Sequence, residues 1–298
     1  MIGPDQEALR PATGEGFSDA VTVAFGDAEA GVFGVARVGV VPGESTTASA
    51  LAIVLADNAP VLAVARGGEP VQAPGWQSIE VAGVGLETVE PLGAWRASVR
   101  TPGPDGEPAR LELDLRALCP PVELSPGSSA GRAGGMQGYE QLCRVTGAVT
   151  LGGRDRALDC LGQRGHAWGT PDWDRMTMTR NISAWLGDDL ALWLTAIRPE
   201  GAKAHDAEAV SATLVDGEAF VELDEARLST TWDDEERQRR AGLELWETEE
   251  TEYPRRLAGE VVAGTTLDLG RLRLDCAFFS WHMEGRAGVG RYDVLRRT

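Results

Sequence analysis

Apolar and polar residues alternate with a period of two along much of this chain, the repeat of a half-buried β-strand. ARLELDLRAL (109–118) shows it plainly: Leu111, Leu113 and Leu115 fall on one face, Glu112, Asp114 and Arg116 on the other. Upstream, VTVAF (21–25), GVFGVARVGVV (31–41), ALAIVLA (50–56), PVLAVAR (60–66), SIEVAGVGLETV (78–89) and WRASVR (95–100) are short, valine-rich or alternating, and cut by Gly, Pro, Asn or Asp. Short strands in succession, with no helical period between them, predict antiparallel pairing. The second half keeps the rhythm. RVTGAVTLGGRDRALDCLGQ (144–163) predicts a hairpin around Gly152-Gly153, and RNISAWLGDDLALWLTAIR (180–198) another around Gly187-Asp188-Asp189. Further strands follow to the closing GRYDVLRR. The expected class is all-β, antiparallel in both halves, with one or two short helical turns at most.

Breaks in the pattern suggest the organisation. Residues 1–16 carry no periodic apolar signal and predict a loose arm. CPPVELSPGSSAGRAGGMQG (119–138) is the stretch richest in Pro, Gly and Ser, which makes it the expected linker. The expected layout is an arm (1–16), an N-terminal β domain (17–120), a linker (121–138) and a C-terminal β domain (139–298). DDEERQRR (233–240) is readable as a helical turn or as a solvated charged loop.

Composition narrows the partners. With 298 residues, 43% of them hydrophobic, the chain can bury a conventional core. Twenty-eight basic residues against 46 acidic ones give a formal charge of −18, which repels nucleic-acid phosphates and anionic headgroups. No apolar run approaches the ~20 residues of a membrane-spanning helix, and MIGPDQEALRPATGEG lacks the layout of a signal peptide. The expected compartment is therefore the cytoplasm. The wide spacing of Cys119, Cys143, Cys160 and Cys276 indicates neither zinc nor a disulfide framework. Thirty-seven glycines and 16 prolines, with frequent Ala, Arg and Val, suggest a high-GC bacterial source. There is no G-x-S-x-G elbow, P-loop or dinucleotide fingerprint, so no cofactor is expected.

The chemistry concentrates in residues 160–198, which hold four of the nine tryptophans and one of the three histidines. If GQRGHAWG is a strand, Arg164, His166 and Trp168 share a face opposite Gln163, Gly165 and Ala167. Gly169-Thr170-Pro171 then turns the chain, and Asp172-Trp173-Asp174 follows at the mouth of the sheet. An Asp desolvated beside indoles is held protonated as a general acid, His166 can move a proton, and indole faces stabilise a carbocation. The expected cavity wall comprises Trp168, Trp173, Trp185, Trp193 and Tyr139, with His282 within reach. The alternatives are structural: Arg164 as the ion-pair partner of Asp172 or Asp174, His166 bonded to a carbonyl, Trp185 and Trp193 as core, His282 as a buried strand histidine, and His205 in a surface loop. A metal site from His166, His205 and Asp172 lacks ligand spacing.

YEQLCRVTGAVTLGGRDRALDCLGQRGHAWGTPDWD (139–174) resembles the hydroxyneurosporene synthase (carotenoid 1,2-hydratase) and AttH-like group of lipocalin-related proteins. The shared feature is G-x-R-x-H-x-W-G followed by D-W, here Gly162, Arg164, His166, Trp168, Gly169, Asp172 and Trp173, and the glycine-rich final strand is similar too. The resemblance implies two lipocalin-like β domains with a hydrophobic ligand between or within them. It also implies hydratase, cyclase or isomerase chemistry on a polyene, terpenoid or polyketide-type molecule without a redox cofactor. One position departs: the family usually has an acidic residue before the histidine, and this chain has Gly165. The acid then falls to Asp172, Asp174 or Glu140, with His166 as base or relay and Arg164 orienting them. A carrier for a small apolar ligand, or a purely structural module, would use the same residues without turnover.

Overall fold

Strands make up 67% of the chain and form two antiparallel sheets; helix accounts for 4%. The computed structural model describes residues 2–43, 45–102, 106, 108–202 and 207–298. The chain divides into two units, residues 1–123 with 136–171, and residues 124–135 with 172–298.

The first unit is built on β1 (Ser18–Asp27), β2 (Val32–Val41), β3 (Thr47–Ala56), β4 (Ala59–Pro70), β5 (Ser78–Val81), β6 (Val84–Glu90), β7 (Ala94–Pro102), β8 (Pro108–Ala117), β9 (Val122–Leu124), β10 (Met136–Leu151) and β11 (Arg154–Gly169). They run in the order β4-β3-β2-β1-β11-β10-β8-β7-β6-β5, with β9 beside β10. Val38, Ala50, Ile79 and Leu86, drawn from opposite ends of that order, share one apolar core, so the sheet curls on itself as a half-barrel. Gly152 and Gly153, at φ 53° and 72°, make the expected tight turn between β10 and β11. Ala82 and Gly83 (φ 49° and 80°) do the same within 78–89, which therefore forms a hairpin, not one strand. A side chain at Gly83 would put its Cβ 2.2 Å from the Arg100 carbonyl oxygen, so only glycine fits.

In the second unit β12 (Met176–Trp185), β13 (Leu190–Pro199), β14 (Ala209–Asp216), β15 (Ala219–Glu222), β16 (Glu225–Trp232), β17 (Gln238–Trp246), β18 (Arg255–Asp268), β19 (Leu272–Met283) and β20 (Arg286–Arg297) run in the order β15-β14-β13-β12-β20-β19-β18-β17-β16. Its core gathers Leu192, Leu194, Phe279, Trp281 and Tyr292. The charged run 233–240 is loop as far as Arg237 and strand from Gln238. No helix among the described residues is long and apolar enough to cross a membrane.

Three expectations about organisation change. The Pro/Gly/Ser stretch is not a plain linker: it holds β9, the start of β10, and α1 (Ser129–Gly134), whose first turn is capped by the Ser128 hydroxyl accepting from the Gly131 N–H at 3.1 Å. Nor does a unit begin at residue 139, because β11 pairs along its length with β10 and from Leu161 to Gly169 with β1, and residues 136–171 belong to the first unit. Strand pairing across more than 100 residues leaves no trace in local composition. The arm is not loose either. Pro4–Glu7 forms a turn of 3-10 helix, and Ile2 and Glu7 are buried.

Candidate functional site

β11 is the strand on which the site is built. Its register sets His166 opposite Val21 on β1 and Tyr139 on β10, Arg164 opposite Val23 and Gln141, and Trp168 opposite Asp19 and Gln137. Directly paired residues project to the same side of an antiparallel sheet. Arg164, His166 and Trp168 thus share the inner face of the curled sheet with Asp19, Val21, Val23, Tyr139 and Gln141, while Gln163, Gly165 and Ala167 face the other way.

Two polar assemblies meet on that face. His166 Nε2 lies 2.6 Å from Asp19 Oδ1, and both side chains are 0% exposed. Asp19 Oδ2 accepts from the Arg10 backbone N–H at 2.6 Å. A carboxylate only accepts, so Nε2 donates to Asp19, and Nδ1 has no hydrogen-bond partner. The ring is boxed in edge-to-face by Trp168 at 4.9 Å, Tyr139 at 5.7 Å and Trp76 at 5.8 Å between centroids. Arg10 lays its guanidinium 5.1 Å over Trp168.

The second assembly centres on Glu7. Its Oε2 accepts from Arg164 Nη2 at 2.9 Å and Trp95 Nε1 at 3.3 Å, and its Oε1 from the Tyr139 hydroxyl at 2.9 Å and the Leu92 N–H at 3.3 Å. Arg164 also donates to the Tyr139 oxygen, and its guanidinium sits 5.2 Å from both the Trp95 and Tyr139 rings. The Arg164 and Glu7 side chains are only 1% and 6% exposed. A buried pair survives its desolvation only when further hydrogen bonds complete it, as they do here. Burial, above all, raises the Tyr139 phenol above its ordinary value and holds it protonated. Beside this assembly a cavity of about 10 Å³ is lined by Arg164, Trp76, Trp95, Thr88, Val21 and Val23, among others. That is room for about one water. Arg164 Nε and Trp76 Nε1, both on residues lining it, have no hydrogen-bond partner.

Arg164, His166, Trp168 and Tyr139 therefore come together; the other candidates stand elsewhere. The structural alternative that gave Arg164 an ion-pair partner named the wrong carboxylate: the partner is Glu7. Asp172 and Asp174 are exposed on the turn after β11; Asp172 accepts from the Asp174 N–H at 3.0 Å, and Asp174 pairs with Arg271 at 2.9 Å. Neither is desolvated, so the reason for expecting a protonated acid there is gone. Trp173 packs with Met176 and Ile197. Trp185 and Trp193 are buried on the face of β12 and β13 opposite the Leu192 and Leu194 face, and His282 is exposed on β19; all three belong to the second unit, whereas the His166 cluster belongs to the first. His205 lies outside the described residues. Glu140 projects away from Tyr139 and accepts from Gln163 Nε2 at 2.9 Å; a Cβ at Gly165 would meet its carboxylate at 2.3 Å. Among the described residues no group of three or more His, Cys, Asp and Glu is placed to hold a metal ion.

Sequence reasoning missed Glu7 and Asp19. Asp19 left a signal: it stands in the same period-two register as Val21, Val23 and Phe25, a carboxylate at an inward position of an apolar strand. Glu7, in an aperiodic segment, left none.

The domain family described as a domain of unknown function (DUF7064) matches residues 4–298. No curated protein matches the chain. Among solved structures, it is similar to a protein provisionally assigned as AttH from Nitrosomonas europaea, at 13% identity over 95% of this chain and 93% of that one, with a TM-score of 0.67. It is also similar to kievitone hydratase from Nectria haematococca (11% identity, 94% and 89% covered, TM-score 0.63) and to CghA solved with Sch210972 (10%, 95% and 88%, 0.59).

Proposed function

The chain belongs to the DUF7064 family, and from that premise, its AttH-like fold and its buried dyad we propose a hydratase- or cyclase-type enzyme that moves a proton on a small hydrophobic molecule. The carrying observation is the Asp19–His166 pair: one imidazole nitrogen is held by a carboxylate, and the other is left without a partner among aromatic rings. Such a nitrogen accepts a proton from water or from an acidic C–H, and Asp19 stabilises the imidazolium that results. Returning that proton to another atom of the same substrate completes an isomerisation; delivering it during addition of water completes a hydration. Neither needs a net proton from solvent. Arg164 and Tyr139 form part of the wall against which the substrate lies, and Trp168, Trp76 and Trp95 supply apolar, cation-tolerant surface. The similarity to a hydratase supports this reading at the level of reaction type, and polyene, terpenoid or polyketide-type substrates fit the indole-lined wall.

A second reading has its own observation: the Arg164, Glu7, His166 and Asp19 side chains are at most 6% exposed and the adjoining cavity has room for about one water. On that reading the network only fixes the barrel core. His166→Asn separates the two, since the amide is polar and compact but cannot shuttle a proton. Catalysis predicts that wild type turns over a member of a polyene and cyclisation-prone panel in single-turnover product analysis, and that the variant binds the same compound without converting it. A carrier binds in both forms, by tryptophan quenching, with no product. A structural network shows neither binding nor turnover, and the variant loses only melting temperature.

A further inference from the structure

The Glu7 carboxylate is received by groups that all belong to the barrel wall: Arg164 from β11, Tyr139 from β10, Trp95 from β7 and the Leu92 N–H between β6 and β7. Glu7 itself comes from residues 2–10, which make no strand pairing; their backbone ties are a short 3-10 turn and the single Arg10 N–H to Asp19 bond. These convergent donors, one of them a guanidinium and joined by the Thr88 hydroxyl at 3.5 Å, form a receptor for a carboxylate. The segment that fills it can leave without breaking any sheet ladder. Its apolar side chains flank the charge as a ligand's body would: Ile2 packs with Phe17, Tyr139 and Trp168, and Leu9 packs against the barrel core. Two further buried donors, Arg164 Nε and Trp76 Nε1, remain unsatisfied on residues lining the adjoining cavity. The wall thus offers more donor capacity than Glu7 uses, which a purely structural ion pair does not require.

We infer that this cradle is a binding site for the carboxylate of an apolar organic acid, and that residues 2–10 occupy it with Glu7 until such a ligand displaces them. Displacement would also release Asp19 Oδ2 from Arg10 and lift the Arg10 guanidinium from Trp168, opening the His166 side of the same face. The inference names the ligand class for the site proposed above. It rests on that reading only for the ligand's being converted, not for its being bound.

The test is titration calorimetry on the full chain with trans-cinnamate, and with neutral cinnamamide as the shape control. Glu7→Ala should bind cinnamate at least about tenfold more tightly than wild type does, and at least about tenfold more tightly than it binds cinnamamide. Glu7→Gln, which keeps the packing and removes the competing charge, should shift in the same direction if Glu7→Ala does not fold. Saturating cinnamate should accelerate amide exchange at residues 2–10 of wild type. No preference of either variant for cinnamate over cinnamamide, or unchanged exchange in wild type, overturns the proposal. Both readouts report binding alone, so the outcome is read separately from whether any ligand is converted.

Discussion

Asp19→Asn tests the dyad most directly, because it changes one atom type inside a closed environment. In the native protein both carboxylate oxygens are used, one facing His166 Nε2 at 2.6 Å and the other accepting from the Arg10 N–H at 2.6 Å. An amide offers one acceptor and one donor. Whichever way it flips, one of the two partners faces an NH₂ group and loses a charge-assisted hydrogen bond of about 1.5–3 kcal/mol. If that partner is the imidazole, its proton moves to Nδ1, the wrong tautomer for the proposed chemistry. We expect a loss of about 2–4 kcal/mol, which at roughly 2–4 °C per kcal/mol lowers the melting temperature by about 5–15 °C. Turnover should fall by about 10²- to 10⁴-fold in folded protein, since the imidazolium no longer has a counter-charge. Calorimetric melting and ¹⁵N shifts of the histidine rings read the two effects independently. A melting temperature within about 1 °C of wild type, with the His166 tautomer unchanged, would refute the hydrogen-bond argument, and full activity would remove the dyad from the mechanism.

Asp172→Asn and Asp174→Asn, tested singly, should each change stability by less than about 0.5 kcal/mol and leave turnover intact, because both carboxylates are exposed and the Arg271 pair of Asp174 is a surface one; loss of activity in either would return the acid to the position first expected. Gly165→Ala should cost about 1–3 kcal/mol, since its Cβ falls 2.3 Å from Glu140 Oε2, and Glu140→Ala in the same chain should recover much of that loss in a thermal double-mutant cycle. Burial raises the thiols of Cys119, Cys143 and Cys276 and pushes that of Cys160 up to about 12. A raised folded-state value keeps the neutral thiol, and this contribution to stability fades only as pH climbs above the unfolded thiol range towards the folded one. Native protein at pH 8 should therefore leave Cys143, Cys160 and Cys276 unreactive to an aromatic disulfide until it is unfolded; stoichiometric labelling in the native state would contradict the burial.

The strands were legible because a sheet with one buried face writes its period into the chain; Leu111, Leu113 and Leu115 are buried and Glu112 and Asp114 exposed on β8, as their alternation requires. The face shared by Arg164, His166 and Trp168 was legible for the same reason. What alternation cannot report is which strand lies alongside. Register places Asp19 next to Trp168 from about 150 residues away, and that pairing is what moves the second half of the motif strand into the first unit. The adjacency of Asp172, Trp173 and Asp174 to the motif in sequence ended at the turn, where the chain passes into the second unit. Trp185 and Trp193 were unreadable as wall or core until the β12–β13 register set Trp193 opposite Ser183 and Trp185 opposite Ala191.

The glycine before the histidine becomes intelligible on the same geometry. Position 165 projects to the face opposite Arg164 and His166, so an acidic side chain there could not have served the inner-face nitrogen directly. In this chain the space beside Gly165 is filled from the neighbouring strand by Glu140, which occupies the volume that a side chain at 165 would claim. A carboxylate is thus kept on that face by a different residue, while the carboxylates that hold His166 and Arg164 come from β1 and from the segment before it. His166 is held by Asp19 and Arg164 by Glu7, each across at least 147 residues of chain. The motif strand alone therefore supplies a base and a cation without their counter-charges, which in the ligand-free chain arrive only when the N-terminal strand and its preceding segment fold against it.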